Sequence, residues 1–153
     1  MSSNAEIVAT GDKWIGYGIT PTEDVIKELI DRSNKFLLLT VFIITESLVL
    51  ENIEKALQRG VNVEIFIHND KEFFKSIQLD LIELQEKYPH IKVFIAPNEF
   101  LHAKVLISDK KKVLIGSANL TKAGLSKNYE LGILLDDSNI AYKLESIIKR
   151  LIQ

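Results

Sequence analysis

Apolar residues along this chain recur with two periods that take turns. From Phe36 to Ile43 the sequence reads FLLLTVFI, an almost unbroken apolar run that predicts a strand covered on both faces. Val61–His68 and Ile91–Ala96, the latter closed by Pro97, predict two more strands. Val105-Leu106-Ile107 and Val113-Leu114-Ile115 flank Asp109-Lys110-Lys111, which predicts a hairpin with arms Lys104–Ser108 and Lys112–Gly116. Tyr129–Leu135 predicts a further strand, and a first strand is expected within Lys13–Gly18.

Between these runs the spacing turns helical. Thr20-Pro21-Thr22-Glu23 reads as a capping box with proline at the first helical position, followed by Val25, Ile26, Leu29 and Ile30 on one face. A second helix is predicted over Glu46–Arg59 and ends at Gly60, a natural residue for the position after a helix. A third begins at Asn69 or Asp70 as cap and runs to about Tyr88. The last, Ser138–Gln153, puts Ile140, Leu144, Ile147, Ile148 and Leu151 on one stripe. Strands alternating with helices and then a hairpin predict an α/β fold. Its sheet is expected to be mixed and mostly parallel, with helices on both faces, in a single domain over residues 1–153.

Composition narrows the classes. With 46% hydrophobic and 26% charged residues, the chain has the profile of a globular domain. No apolar run approaches the ~20 residues of a membrane-spanning helix, and the start, MSSNAEIVAT, shows no secretory signal. The absence of cysteine excludes disulfides and thiolate metal sites and leads us to expect a cytoplasmic protein. A net charge of −2 argues against a general polyanion coat, yet the charge is uneven. Between Phe100 and Asn128 six lysines face one acid, Asp109.

That basic segment carries the candidate chemistry. Side chains two apart on a strand share a face, so His102 and Lys104 point together if the strand reaches residue 102. Ser117 and Asn119 do the same at the end of the neighbouring arm, whereas Asp109 lies in the turn at the opposite end. Ammonium, hydroxyl and amide groups suit phosphate oxygens, and a neutral imidazole beside them can attack phosphorus or move a proton. The alternative is structural: a lone histidine by a strand is usually a packing residue, and Lys110, Lys111 and Lys112 read as solvated turn lysines. GSANLTK is not a phosphate-binding P-loop, Ser117 is not in a nucleophile elbow, and His68, His90 and His102 are too scattered for a metal site. No metal and no cofactor are expected.

His102-x-Lys104-x₄-Asp109 followed by Gly116-Ser117-x-Asn119 resembles the signature of the phospholipase D superfamily at every position, with Asn128-Tyr129-Glu130 similar to its downstream acidic segment. The passage from Ala56 to Val63 also resembles the family's helix-to-strand step. The single motif is similar to that of the compact bacterial endonucleases of the superfamily. The resemblance implies an α-β-α sandwich and metal-independent phosphodiester hydrolysis through a phosphohistidine on His102. It implies that Lys104, Ser117 and Asn119 hold the phosphate, that Glu130 bonds the far ring nitrogen of His102, and that Asp109 and Gly116 are structural. One motif per chain implies a homodimer with the site at the two-fold axis.

For the substrate, nucleic acid is expected ahead of lipid, and DNA ahead of RNA. Lys122 and Lys127 are the candidates for backbone contacts, because they flank the loop after Asn119. His68-Asn69-Asp70 stands after a strand end where ligands often bind, and Trp14 and Tyr17 are read as core aromatics before stacking residues. No stable membrane association is expected, and a helicase or restriction partner is open. The alternatives are a lipid phosphodiesterase or phosphatidyltransferase, and a nucleic-acid-binding specificity module.

Overall fold

The computed structural model describes residues 4–69 and 74–153, so Asp70, one of the two expected helix caps, lies outside the described residues. The strands are β1 (Ala5–Thr10), β2 (Thr20–Pro21), β3 (Phe36–Val41), β4 (Asn62–His68), β5 (Ile91–Ala96), β6 (Val105–Ser108), β7 (Lys112–Gly116) and β8 (Glu130–Asp136). They form one eight-stranded sheet in the order β2-β1-β8-β7-β6-β3-β4-β5. The helices are α1 (Thr22–Arg32), α2 (Ser47–Gln58), α3 (Phe74–Lys87) and α4 (Ser138–Ile148).

Burial explains the arrangement. Every residue of β3 is buried, as its continuous apolar run requires of an interior strand. One face of the sheet packs under α1, α2 and α3 through Val25, Ile30, Ile53, Leu57, Leu81 and Leu84. The other packs under α4 through Ala141 and Ile148, which meet Phe36, Leu38, Phe66 and Ile107. Alternate residues of each strand feed the two layers, which is the pleat made visible.

Five expectations are corrected. The sheet is mixed, but three pairings are parallel and four antiparallel, because β6, β7 and β8 form a meander and β1 joins it antiparallel to β8. The first strand is Ala5–Thr10, and residues 13–18 are a turn: Gly11, Gly16 and Gly18 have φ of 116°, 95° and 88°, and Tyr17 has φ 51°. Trp14 and Tyr17 are accordingly exposed, not core residues. The capping box does not form, because Thr20–Pro21 pairs with β1; Pro21 is itself the cap of α1 and makes no side-chain bond. On α4 the buried line is Ala141, Glu145 and Ile148 with Leu144 beside it, while Ile147 is exposed. Glu145 is tolerated there because Lys149 lies 2.8 Å and Lys110 3.5 Å from its carboxylate oxygens.

Candidate active site

The candidate site sits at one end of the sheet, where β3 and β7 finish and β6 and β8 begin. His102 and Lys104 lie just before β6, and the Lys104 carbonyl accepts from the Gly116 N–H of β7 at 3.3 Å. Register is supplied by Thr40 of β3, whose buried hydroxyl donates to the Ala103 carbonyl at 2.9 Å and accepts from the Val105 N–H at 2.9 Å. These two bonds flank Lys104 and fix its backbone. Lys104 Nζ then donates to the His102 carbonyl at 2.9 Å and lies 3.5 Å from His102 Nε2. The expected histidine–lysine pair is therefore together. Partial burial lowers the lysine pKa below its ordinary value, outweighing the nearby Glu130 carboxylate, which raises it.

The neighbouring arm brings in the next groups. A side chain on Gly116 would meet Gly132 Cα at 2.7 Å and the Leu131 carbonyl at 2.7 Å, so β7 and β8 approach too closely for any other residue. Past this point the Ser117 N–H donates to the Leu131 carbonyl at 3.0 Å, and its hydroxyl donates to Glu130 Oε1 at 2.8 Å while accepting from the Leu131 N–H at 3.1 Å. Asn128 donates to the other Glu130 oxygen at 3.3 Å. Glu130 thus bonds Ser117 and Asn128, and no bond from it to His102 occurs among the described residues. The expected Glu130–His102 contact is corrected on this point, because the cross-strand register of β7 and β8 hands the carboxylate to Ser117.

Asn119 hangs from a loop tied to the end of β3 by the Leu120 N–H to Ile43 carbonyl bond of 3.2 Å and by Thr45 N–H to the Leu120 carbonyl at 2.9 Å. Its Oδ1 is buried and has no hydrogen-bond partner among the described residues. Lys104 and Asn119 stand at the rim of an apolar cleft walled by Leu39, Val41, Leu106 and Leu114. Lys122 caps and Lys127 ends a single π-helical turn, Ala123–Lys127, and both are exposed with no ion pair among the described residues. Asp109 stays at the far end of the hairpin, where it accepts from the backbone N–H groups of Asn34, Lys35 and Phe36 at 3.1, 2.8 and 3.0 Å.

Sequence reasoning missed Thr40 and Phe42. Thr40 was legible as the lone polar residue in an otherwise apolar interior strand. Phe42, just past β3, meets the His102 ring edge-on at 4.8 Å and stacks on His68 at 4.8 Å. Phe100 lies 4.6 Å from His68 and 5.4 Å from Phe42. His68 Nδ1 accepts from the Leu101 N–H at 3.2 Å, which tethers the segment carrying His102 to the end of β4. His90 is partly buried, with its Nε2 2.8 Å from the Leu57 carbonyl. Among the described residues no group of three or more His, Cys, Asp or Glu side chains could hold a metal ion.

Residues 26–152 match a family described as "Cardiolipin synthase, PLD-like domain". Among curated proteins the chain is 30% identical over 147 residues to the DISARM protein DrmC of Bacillus paralicheniformis, covering 92% of this chain and 60% of that one. It is 31% identical over 120 residues to a phospholipase D of Rickettsia typhi, covering 78% and 57%. The chain therefore spans less than two thirds of these relatives. Of solved structures, NucT from Helicobacter pylori superposes with a TM-score of 0.68 at 25% identity, over 84% of this chain and 86% of that one. A phospholipase D family member, Nuc from Salmonella typhimurium, superposes with a TM-score of 0.75 at 21% identity over 96% and 90%, a likeness of fold.

Proposed function

Because the chain belongs to the phospholipase D-like family, a family of phosphodiesterases, we propose that it hydrolyses the phosphodiester bonds of nucleic acid, DNA ahead of RNA, in a single domain. The observation that carries the reading is the open cluster at the head of the hairpin. An exposed imidazole has a lysine ammonium 3.5 Å from its Nε2, with an unpartnered amide oxygen nearby on Asn119. Nε2 of His102 attacks phosphorus and forms a P–N bond as the P–O bond to the leaving group breaks. A second imidazole gives that oxygen its proton, then takes one from the water that hydrolyses the P–N bond and restores His102. Lys104, Ser117 and Asn119 hold the non-bridging oxygens. Glu130 acts through Ser117, whose hydroxyl it orients. Asp109 and Gly116 hold the hairpin that presents these groups.

The second imidazole comes from a second copy of the chain. Ile7, Ile133 and Ile115 lie side by side across β1, β8 and β7 and are exposed, as is Leu131 next to Glu130. This uncovered apolar strip runs from the sheet to the site, and a two-fold partner seated on it brings two His102 rings together. Lys122 and Lys127, exposed and with no ion pair among the described residues, favour a polyanionic substrate. No helix among the described residues is long and apolar enough to cross a membrane. A second reading, a lipid phosphodiesterase, is favoured by the apolar cleft beside Lys104 and Asn119.

The test is cleavage of single- and double-stranded DNA, RNA and phospholipid vesicles in excess EDTA by the wild type and His102→Ala. Nucleic-acid cleavage by the wild type alone supports the proposal. Cleavage of phospholipid alone overturns the substrate, and binding of nucleic acid by both proteins without cleavage turns the reading to a specificity module. Full activity in a preparation shown to be monomeric overturns the shared site.

A further inference from the structure

The geometry points to a stacking subsite for an unpaired nucleobase: we propose that Phe100, backed by Phe42 and His68, seats the base next to the phosphate held at His102, so that the favoured substrate is nucleic acid single-stranded at the scissile bond. This rests on the nuclease reading above and names its substrate class. Phe100 is 72% exposed, an unusual degree for a phenylalanine held among other rings. It is nevertheless placed: its ring lies 5.4 Å from Phe42 and 4.6 Å from His68, and is within 25° of parallel to His102 at 5.9 Å. The His68 bond to the Leu101 N–H, 3.2 Å, fixes the backbone beside it.

The chemistry along this wall changes in the order a nucleotide requires. Lys104 Nζ lies 5.6 Å from the centroid of Phe42, so cation and ring faces are contiguous. A phosphate on the lysine leaves the attached base beside the rings. Aromatic faces accept any base and give little sequence preference. A base paired inside a duplex has both faces occupied by its neighbours and cannot use such a seat without being extruded. In the sheet order the wall belongs to β3 and β4, on the other side of β6 from the apolar strip of β7, β8 and β1 assigned to the second copy.

The experiment compares the wild type, Phe100→Ala, Phe100→Trp and His102→Ala on a single-stranded oligonucleotide, its duplex, and a single strand abasic at the scissile nucleotide. Solution mass is measured for each protein. The expected result is that Phe100→Ala loses about tenfold in kcat/KM on the base-bearing single strand, mostly through KM, while Phe100→Trp restores it. On the abasic strand wild type and Phe100→Ala should be equal. Equal loss on both strands would make Phe100 a mere support for His102 and overturn the subsite. So would a Phe100→Ala protein of altered mass, since Phe100 would then belong to the interface. If Phe100→Ala matches the wild type everywhere while His102→Ala is inactive, the subsite falls and the nuclease reading stands. Wild-type cleavage of none of the three oligonucleotides removes both.

Discussion

The two ends of the β6–β7 hairpin carry parts of one short motif and treat their polar groups in opposite ways. At the turn each charged group from Asp109 to Lys111 has a partner. Asp109 accepts from three backbone N–H groups, Lys110 pairs with Glu145 and covers the Phe36 ring, and Lys111 lies 3.7 Å from Asp136. At the open end the Lys104 ammonium bonds the carbonyl of its neighbour His102 and lies beside its ring, and the Asn119 amide oxygen is buried with no hydrogen-bond partner among the described residues. A buried polar group is costly unless it is hydrogen-bonded. Groups whose bonds are complete therefore hold the fold, and groups left incomplete at the open end are the ones a ligand can satisfy.

That contrast is broken most directly by one substitution at each end. His102→Ala should cost at least ~10³-fold in phosphodiester cleavage with little change in the urea midpoint, because an exposed ring is lost and no buried bond goes with it. Asp109→Ala should do the reverse. It leaves the Asn34, Lys35 and Phe36 N–H groups without their acceptor, for about 1–3 kcal/mol of stability, and activity per folded molecule should persist. If Asp109→Ala abolished cleavage while unfolding like the wild type, the division between the two ends would be wrong.

Acid sharpens the second half of this comparison. Partial burial pushes the Asp109 carboxyl up, but the N–H groups of Lys35, Phe36 and Asn34 outweigh it and hold the group below its ordinary value. A folded pKa below the unfolded one, about 3.9, means the stabilisation is complete above that pH and is lost as pH falls through the lowered folded value. The stability gap between wild type and Asp109→Ala should be constant near neutrality and should shrink below about pH 4. Urea unfolding of both proteins across that range measures it. At the open end the sign concerns activity. Burial lowers the Lys104 pKa, so if its charge holds the phosphate, activity should fall on the alkaline side before an ordinary lysine titrates. Lys104→Arg should move that limb to higher pH, whatever it does to the rate. Superimposable alkaline limbs would remove Lys104 from the charged role.

How much of this was legible in the sequence follows the same division. The hairpin could be read because Val105–Ile107 and Val113–Ile115 are two apolar runs around a polar turn, and the candidate residues could be proposed because they keep a fixed spacing just outside those arms. The interior strand β3 was equally plain. What could not be read depends on pairing between distant segments. Glu130 bonds Ser117 because Gly116 sits opposite Gly132, a register no local pattern encodes. Phe42, His68 and Phe100 become one cluster only when β3 and β4 end side by side. The Trp14–Gly18 stretch has strand-like residues, but glycines at positive φ bend it into a turn and leave the first strand to Ala5–Thr10.

The smallest effect tests whether the open end continues beyond its four central groups. Lys122 and Lys127 frame the π-helical turn, whose position is fixed by the Thr10 hydroxyl bond to the Gly124 carbonyl at 2.8 Å and by the close approach of Gly124 to the Asn119 backbone. Their ammonium groups have no ion pair among the described residues, so replacing them removes no fold contact and stability should change by less than about 0.5 kcal/mol. Each lysine that neutralises a phosphate contributes about −0.9 to the slope of log K against log salt for duplex DNA and about −0.7 for a single strand. The double substitution Lys122→Ala, Lys127→Ala, measured in the inactive His102→Ala protein so that the substrate survives, should flatten the slope by about 1.4 on single-stranded DNA. An unchanged slope would confine substrate contact to the hairpin head, and the boundary between paired and open ends would then lie at Asn119 itself.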